Sequence, residues 1–314
     1  MKVLFKTANR KDLVAQNVFC HLEQRISEFV TTSRNDNPED FDWVLYTPWT
    51  SSEEVPPPKI PKDRSYKTVA IISDLHTHHR FERTPEKYIK YLNENFDVVL
   101  SLYGEMATKP YYFKHHMKVP YIFFSPWVET EYYKAAINQP KEYDVILIAN
   151  VGLPTYPFRS CVARDLMRIA KKNDWKVLLK GRPKGLSANR KISELYDKGE
   201  FVGKKYVETL GKSKIMICGS SIYKYPLMRY FEGMICKTLV FGDTPQFATE
   251  LGLIDRYSFV EADCDSWETR LDMYLNEYND LRRDIIENAY RIVLNRHTCK
   301  IRAKQFIEIL EVNS

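Results

Sequence analysis

Apolar residues recur along the chain at two spacings, and the two alternate. Short apolar runs bounded by turn residues predict strands, and apolar positions every three or four residues predict helices. Val3–Phe5 predicts a first strand, after which Leu13, Val14, Val18, Phe19, Leu22, Ile26, Phe29 and Val30 recur at helical spacing. Beyond a polar loop, Thr31–Asp40, strands are expected at Trp43–Tyr46, Thr68–Ile72, Asp97–Leu102 and Tyr121–Phe124, with helices over Glu86–Asn93 and Tyr111–Met117. The proline-rich stretch Val55–Pro61 predicts a stiff, exposed connection. A polar segment, Asn138–Glu142, then precedes a second series. Its strands are expected at Tyr143–Ile148, Lys176–Lys180, Lys214–Cys218, Thr238–Phe241 and Tyr257–Val260. Its helices are expected over Ser160–Lys171, around Ile192, over Lys205–Leu210 and Tyr225–Cys236, as one long helix from Leu271 to Ile292, and over Lys300–Leu310.

Strands alternating with helices at this spacing imply βαβ units and mostly parallel sheets. The pattern predicts an α/β protein of two Rossmann-like domains, residues 1–137 and 143–314, facing each other across a cleft. At 314 residues, each half is long enough to bury its own core. Apolar content of 44% and charged content of 28% exclude a disordered chain, and no apolar run reaches the roughly 18 residues of a membrane span. The net charge of +6 suits phosphate-bearing ligands, nucleic acid or an anionic membrane surface, but it is spread along the chain and selects none of them. Cysteines at 20, 161, 218, 236, 264 and 299 form no C-x-x-C pair, which points to reduced thiols in a cytoplasmic protein.

Glycine narrows the picture. All but Gly104 lie between Gly152 and Gly252. Backbone that approaches phosphates closely generally needs glycine, so a nucleotide's phosphates are expected in the second half. Three loops there follow predicted strands, the place where α/β sheets bind ligands. Asn150–Arg159 brings a helix start and Arg159, and Lys180-Gly181-Arg182-Pro183-Lys184-Gly185 brings three cations. Gly219-Ser220-Ser221 brings hydroxyls, and Glu232 lies in the helix before the strand that ends at Gly242-Asp243. Each has a bland alternative as a capped turn, a basic surface loop or a solvated acid. No Walker or G-x-G-x-x-G spacing occurs. In the first half, Asp74-Leu75-His76-Thr77-His78-His79 follows a predicted strand. Asp74 or His76 is a candidate general base, and no further ligand spacing supports a metal there.

The second half resembles the C-terminal domain of GT-B glycosyltransferases, in the group-one-like set that includes the CgeB spore-maturation proteins. Tyr143-Asp144-Val145, Tyr156-Pro157-x-Arg159, Arg229-Tyr230-Phe231-Glu232 with Leu239-Val240, His297-Thr298 and Arg302-Ala303 carry the resemblance. It implies a glycosyltransferase acting from a nucleotide-diphosphate sugar as co-substrate, without metal or other cofactor. It assigns Glu232 to the donor ribose and Arg159, Lys180 and Arg182 to the diphosphate. Ser220 is expected at the donor, and Arg229 is expected either to touch the donor or to orient Glu232. Many retaining relatives carry a second glutamate where this chain has Lys224, and a glycine where it has Lys237. The competing expectations are a non-catalytic structural relative of the fold and a nucleotide-sugar epimerase. Within the transferase reading, a glycan, a protein, a small molecule or modified DNA are all open as acceptor. Peripheral membrane contact also stays open.

Overall fold

Strands form where the chain is apolar on both faces: every residue from Thr68 to Ile72 is buried, as is every residue from Val98 to Ser101. That is the signature of parallel strands covered on both sides by helices. The computed structural model describes residues 1–6, 17–47, 58–76, 84–181, 195, 198 and 201–314. These divide into two units, one holding Met1–Pro126 and Cys299–Ser314, the other taking the rest of the described chain from Trp127 to Thr298.

In the first unit the order is β1 (Lys2–Lys6), α1 (Asn17–Ile26), β2 (Thr31–Ser33), β3 (Trp43–Tyr46), β4 (Lys67–Ile72), α2 (Pro85–Asn95), β5 (Val98–Ser101), α3 (Tyr112–His116) and β6 (Tyr121–Phe123). The second unit continues with α4 (Thr130–Tyr133), β7 (Tyr143–Ala149), α5 (Pro157–Asn173), β8 (Val177–Gly181), α6 (Gly203–Gly211), β9 (Ser213–Cys218) and α7 (Met228–Ile235). It closes with β10 (Leu239–Gly242), α8 (Ala248–Leu251), β11 (Val260–Glu261), α9 (Trp267–Asn276) and α10 (Asn279–Arg296); the last helix, α11 (Cys299–Val312), belongs to the first unit.

Both sheets are wholly parallel, with strand orders β2-β1-β3-β4-β5-β6 and β11-β10-β9-β7-β8. Each therefore has one place where successive connections leave in opposite directions, between β1 and β3 and between β7 and β9. At such a switch point the loops diverge and leave a crevice beyond the strands' carboxyl ends. In the first unit that edge runs into residues 7–16 and 48–57, outside the described residues. In the second it is described, from Ala149 and Cys218 onward.

Three expectations are corrected. Thr31–Ser33 is an edge strand paired to β1 at Lys2↔Thr31, where a loop was expected. Its polar, partly exposed residues carry no alternation to read. The long helix expected from Leu271 to Ile292 is two helices, because Tyr278 leaves helical geometry (φ −101°, ψ 45°) and Arg282 Nη1 donates to the freed carbonyl of Tyr274 at 2.6 Å. The final helix joins the first unit rather than extending the second. Buried Arg302 donates through Nε to the Ser125 carbonyl at 2.9 Å and through Nη2 to the Ser125 hydroxyl, while Lys67 Nζ reaches the Asn313 carbonyl at 2.6 Å. The helix expected around Ile192 lies outside the described residues.

Close backbone approach fixes one glycine at the second unit's edge. A Cβ on Gly242 would sit 1.8 Å from the Cys218 carbonyl oxygen of the neighbouring strand, whereas one on Gly181 meets nothing within 4 Å. Gly242→Ala should therefore destabilise the chain by about 3 kcal/mol or more, and Gly181→Ala by less than about 0.5 kcal/mol. Urea unfolding of the two variants checks this contrast.

Candidate functional site

The chain leaves β7 through a loop and enters α5 at Pro157, whose missing N–H and fixed φ suit a first helical position. This start places Arg159 in the first turn, facing inward: the residue is only 4% exposed. Its guanidinium lies 3.7 Å from the centre of the Tyr156 ring. Nε has no hydrogen-bond partner, and no carboxylate pairs with the group among the described residues. Burial, and next the charge of Arg229, hold its pKa below the ordinary arginine value. An arginine nonetheless stays protonated at neutral pH, so the switch point contains a buried cation that lacks an anion.

The loop after β9 is packed against this cation. A Cβ on Gly219 would fall 2.9 Å from Arg159 Cγ and 3.2 Å from Asp243 Oδ1, so only glycine fits between them without a shift. Asp243, just past β10, grips the next residue twice: Ser220 N–H donates to Oδ1 and the Ser220 hydroxyl to Oδ2, both at 2.7 Å. Lys224 Nζ also donates to Oδ2 at 2.7 Å, and the Tyr230 hydroxyl donates to the Asp243 carbonyl at 2.6 Å. Lys224 itself stands at φ 56°, a left-handed conformation that a non-glycine residue holds only when its surroundings fix it. The carboxylate of Asp243 is thus committed to Ser220 and Lys224 and does not neutralise Arg159.

One turn along α7, Glu232 is half-buried and accepts two hydrogen bonds. Tyr133 donates to Oε1 and Tyr206 to Oε2, each at 2.8 Å. Burial first, and then the adjacent carboxylate, push both tyrosine hydroxyls well above their ordinary pKa, so they remain protonated donors. Arg229 Nη1 donates to the Ile148 carbonyl near the end of β7, and its guanidinium carbon lies 5.7 Å from the centre of the Tyr206 ring. Burial alone would lower the Arg229 pKa; Tyr206 and Glu232 outweigh it and raise the value. Behind the helix, Phe231 stacks on His297 at 4.2 Å between ring centres, and His297 Nε2 meets the Leu251 carbonyl at 2.9 Å.

Arg159, Ser220, Arg229 and Glu232, expected from the sequence, therefore lie on elements that converge on the carboxyl ends of β7 and β9. Ser220 is fully buried and spends both its donors on Asp243, so in this structure it holds the loop. Lys180 is exposed on the edge strand β8, and Arg182 and Lys184 lie outside the described residues. Asp74 and His76 follow β4 in the first unit and are both half-buried, while His78 and His79 lie outside the described residues. Among the described residues no group of three or more His, Cys, Asp or Glu side chains could hold a metal ion, and no helix is long and apolar enough to cross a membrane. All six cysteines are free. Sequence reasoning missed Tyr133, Tyr206 and the grip of Asp243. The two tyrosines stand 99 and 26 positions from Glu232, and no local spacing links them to it.

The chain is similar to known proteins in two respects. A family model described as glycosyl transferase-like matches residues 160–308, which include Ser220, Arg229, Glu232, Asp243 and Tyr206 but begin just after Arg159 and leave out β7 and Tyr133. The fold is that of GT-B glycosyltransferases, two Rossmann-like domains. A glycosyltransferase from Rickettsia africae superposes with a TM-score of 0.61 at 14% identity, covering 99% of this chain and 98% of that one. Anabaena HepE, solved with UDP and glucose, superposes with a TM-score of 0.60 at 9% identity over 99% of both chains. Sucrose-phosphate synthase from Thermosynechococcus elongatus gives 0.59 at 10% identity, over 99% of this chain and 98% of that one. No curated protein matches the sequence significantly.

The Asp243 network separates a buried obligation from an exposed pairing. Asp243→Ala leaves two buried donors of Ser220 without an acceptor and should cost about 2–4 kcal/mol. Lys224→Met removes a cation that is 43% exposed and should cost under about 1 kcal/mol. Chemical denaturation of both variants reads the difference.

Proposed function

We propose that this protein is a glycosyltransferase that moves a sugar from a nucleotide-diphosphate donor to an acceptor hydroxyl, with the donor held at the β7/β9 edge of the second unit. The observation that carries the reading is Arg159, a buried guanidinium with an unpartnered Nε in the first turn of a helix at a switch point. A diphosphate supplies the missing anion, and the N-terminal end of α5 adds to the same field. HepE, of the same fold, is solved with UDP and glucose, which supports a donor of this class.

In the reaction, the acceptor oxygen forms a bond to the anomeric carbon as the bond from that carbon to the phosphate oxygen breaks. The diphosphate leaves with the electron pair, and the acceptor proton passes to a base. Arg159 stabilises the negative charge that develops on the leaving group, and we assign Lys180 and Arg182 to the same anion. A fixed cation in a partly dried site does this without reorganising, and so without a metal ion. Glu232 takes the ribose hydroxyls, and Arg229 orients that carboxylate through Tyr206. We assign the acceptor proton to Asp74 or His76, which stand past β4 of the first unit's sheet. Cysteines that form no disulfide fit a cytoplasmic protein, and the resemblance in the second half fits a CgeB-like member of the group. The acceptor class stays open among glycan, protein, small molecule and modified DNA.

Calorimetric titration with UDP, GDP and ADP and the parent nucleosides tests the donor site. Arg159→Met should weaken the bound diphosphate by about thirtyfold or more, roughly 2 kcal/mol, and leave the nucleoside unchanged. Equal losses for both ligands would sink the phosphate assignment, and Glu232→Ala with unaltered affinity would sink the ribose assignment. Turnover with a panel of nucleotide sugars tests the reaction itself: recovery of an epimerised free donor, or no binding by the panel, contradicts transfer. Asp74→Asn or His76→Gln, whichever removes the base, should lower kcat by about a hundredfold or more at unchanged donor affinity.

A further inference from the structure

Two thiols far apart in sequence meet on the surface of the second unit. Cys161 is the fifth residue of α5, and Cys264 lies in the turn between β11 and α9. The Cys161 Sγ lies 3.8 Å from the Cys264 carbonyl oxygen, 103 positions away, and the two thiols are hydrogen-bonding neighbours. Their elements are held together independently of the sulfurs. Phe158, Val162 and Leu166 of α5 share one core with Trp267 and Leu271 of α9, and Cys161 packs at its edge. Asp263 fixes the turn: its Oδ1 accepts from the N–H groups of Asp265 and Ser266 at 3.0 and 2.8 Å and from the Ser266 hydroxyl at 2.7 Å.

Exposure separates this pair from the other thiols. Cys264 is exposed and Cys161 half-buried, whereas Cys20, Cys218, Cys236 and Cys299 are buried. Arg164, one turn beyond Cys161, pairs with Asp165 and lies close enough to both sulfurs for their charge to act on it, that of Cys161 more than that of Cys264. A neighbouring cation favours the thiolate, which is the form that attacks disulfides. Desolvation of its sulfur, and then the Cys161 thiol, push the Cys264 pKa up to about 11, so Cys264 holds its proton at neutral pH.

We propose that Cys161 and Cys264 form a reversible modification site, a dithiol that small-molecule disulfides such as oxidised glutathione convert to an intramolecular disulfide. The Cys161 thiolate attacks one sulfur of the oxidant, which gives a mixed disulfide and releases one glutathione thiolate that takes up the Cys161 proton. Cys264 then loses its proton and its sulfur attacks Cys161 Sγ. The bond to glutathione breaks, and the second glutathione leaves as a thiolate that takes up the Cys264 proton. Two protein thiols are oxidised and one disulfide is reduced to two thiols, so electrons and protons balance with no further reactant. The bond closes the helix that carries Arg159 onto the turn that starts α9. In a reducing compartment the pair stays as thiols until the oxidant rises, the usual setting of a cytosolic disulfide. The site stands independently of the donor-site reading.

The test incubates the folded full chain with mixtures of oxidised and reduced glutathione, blocks the remaining thiols with N-ethylmaleimide and maps disulfides by mass spectrometry without reduction. The wild type should lose two of its six thiols and yield one cross-linked peptide, Cys161 to Cys264. Cys264→Ser should stop at a glutathione adduct on Cys161, and Cys161→Ser should form no protein disulfide. The bond closes a loop of about 100 residues, so the oxidised wild type should unfold at a temperature higher by about 5 °C or more, a shift reversed by dithiothreitol and absent from both variants. A wild type that keeps six thiols, stops at a glutathione adduct or joins a different pair of cysteines overturns the inference. A bond that lowers the unfolding temperature has formed by distorting the fold, and that result overturns it too. The wild-type map decides the matter even where a variant fails to fold.

Discussion

A buried positive charge without a carboxylate partner among the described residues sets the terms for the second unit. Arg159 is driven inward by its place in the first turn of α5, one position after Phe158, which anchors the helix in the core. Asp243 lies near enough to bound the same small space at Gly219, yet Ser220 and Lys224 engage its carboxylate. Removing a charge from water costs several kcal/mol unless something compensates. Among the described residues the compensation is the face of Tyr156, and under the proposed function the remainder falls to the donor's diphosphate. Gly219 is what it takes to pack the loop after β9 against that cation.

The same economy of connections explains where the polar groups collect. A parallel sheet with order β11-β10-β9-β7-β8 sends the chain away on opposite sides of β7 and β9, which leaves a crevice beyond their carboxyl ends. Residues placed just past those two strands, or in the first turns of the helices that follow, are then neighbours although far apart in sequence. Arg229 illustrates the consequence. It belongs to α7, yet its hydrogen bond is to Ile148 of β7, 81 positions earlier, and it carries rigidity from the strand to Tyr206 and so to Glu232. Support that comes from the sheet is stiffer than support from a loop, which suits a group that must hold one orientation.

The alternation of strands and helices was legible because fully buried parallel strands are continuous apolar runs, and Val98–Ser101 or Leu239–Gly242 can hardly be read otherwise. What escaped was set by contacts rather than by local pattern. The polar edge strand Thr31–Ser33 exists because β1 offers it a ladder. The break at Tyr278 depends on where the Arg282 side chain finds a carbonyl. Arg159 and Glu232 stand out from their neighbours and from family resemblance, but their surroundings were not in those signals. Arg159 has no carboxylate partner among the described residues, and Glu232 takes two tyrosine hydroxyls supplied by distant elements. Ser220 shows the converse, a hydroxyl in the expected loop whose donor the structure directs to Asp243.

The most direct test of this account is a crystal structure with a nucleoside diphosphate bound. The account predicts phosphate density within hydrogen-bond distance of the Arg159 guanidinium and the ribose diol on Glu232, with Tyr133 and Tyr206 still donating to that carboxylate. A nucleotide bound elsewhere on the chain, leaving Arg159 without an anion, would contradict it.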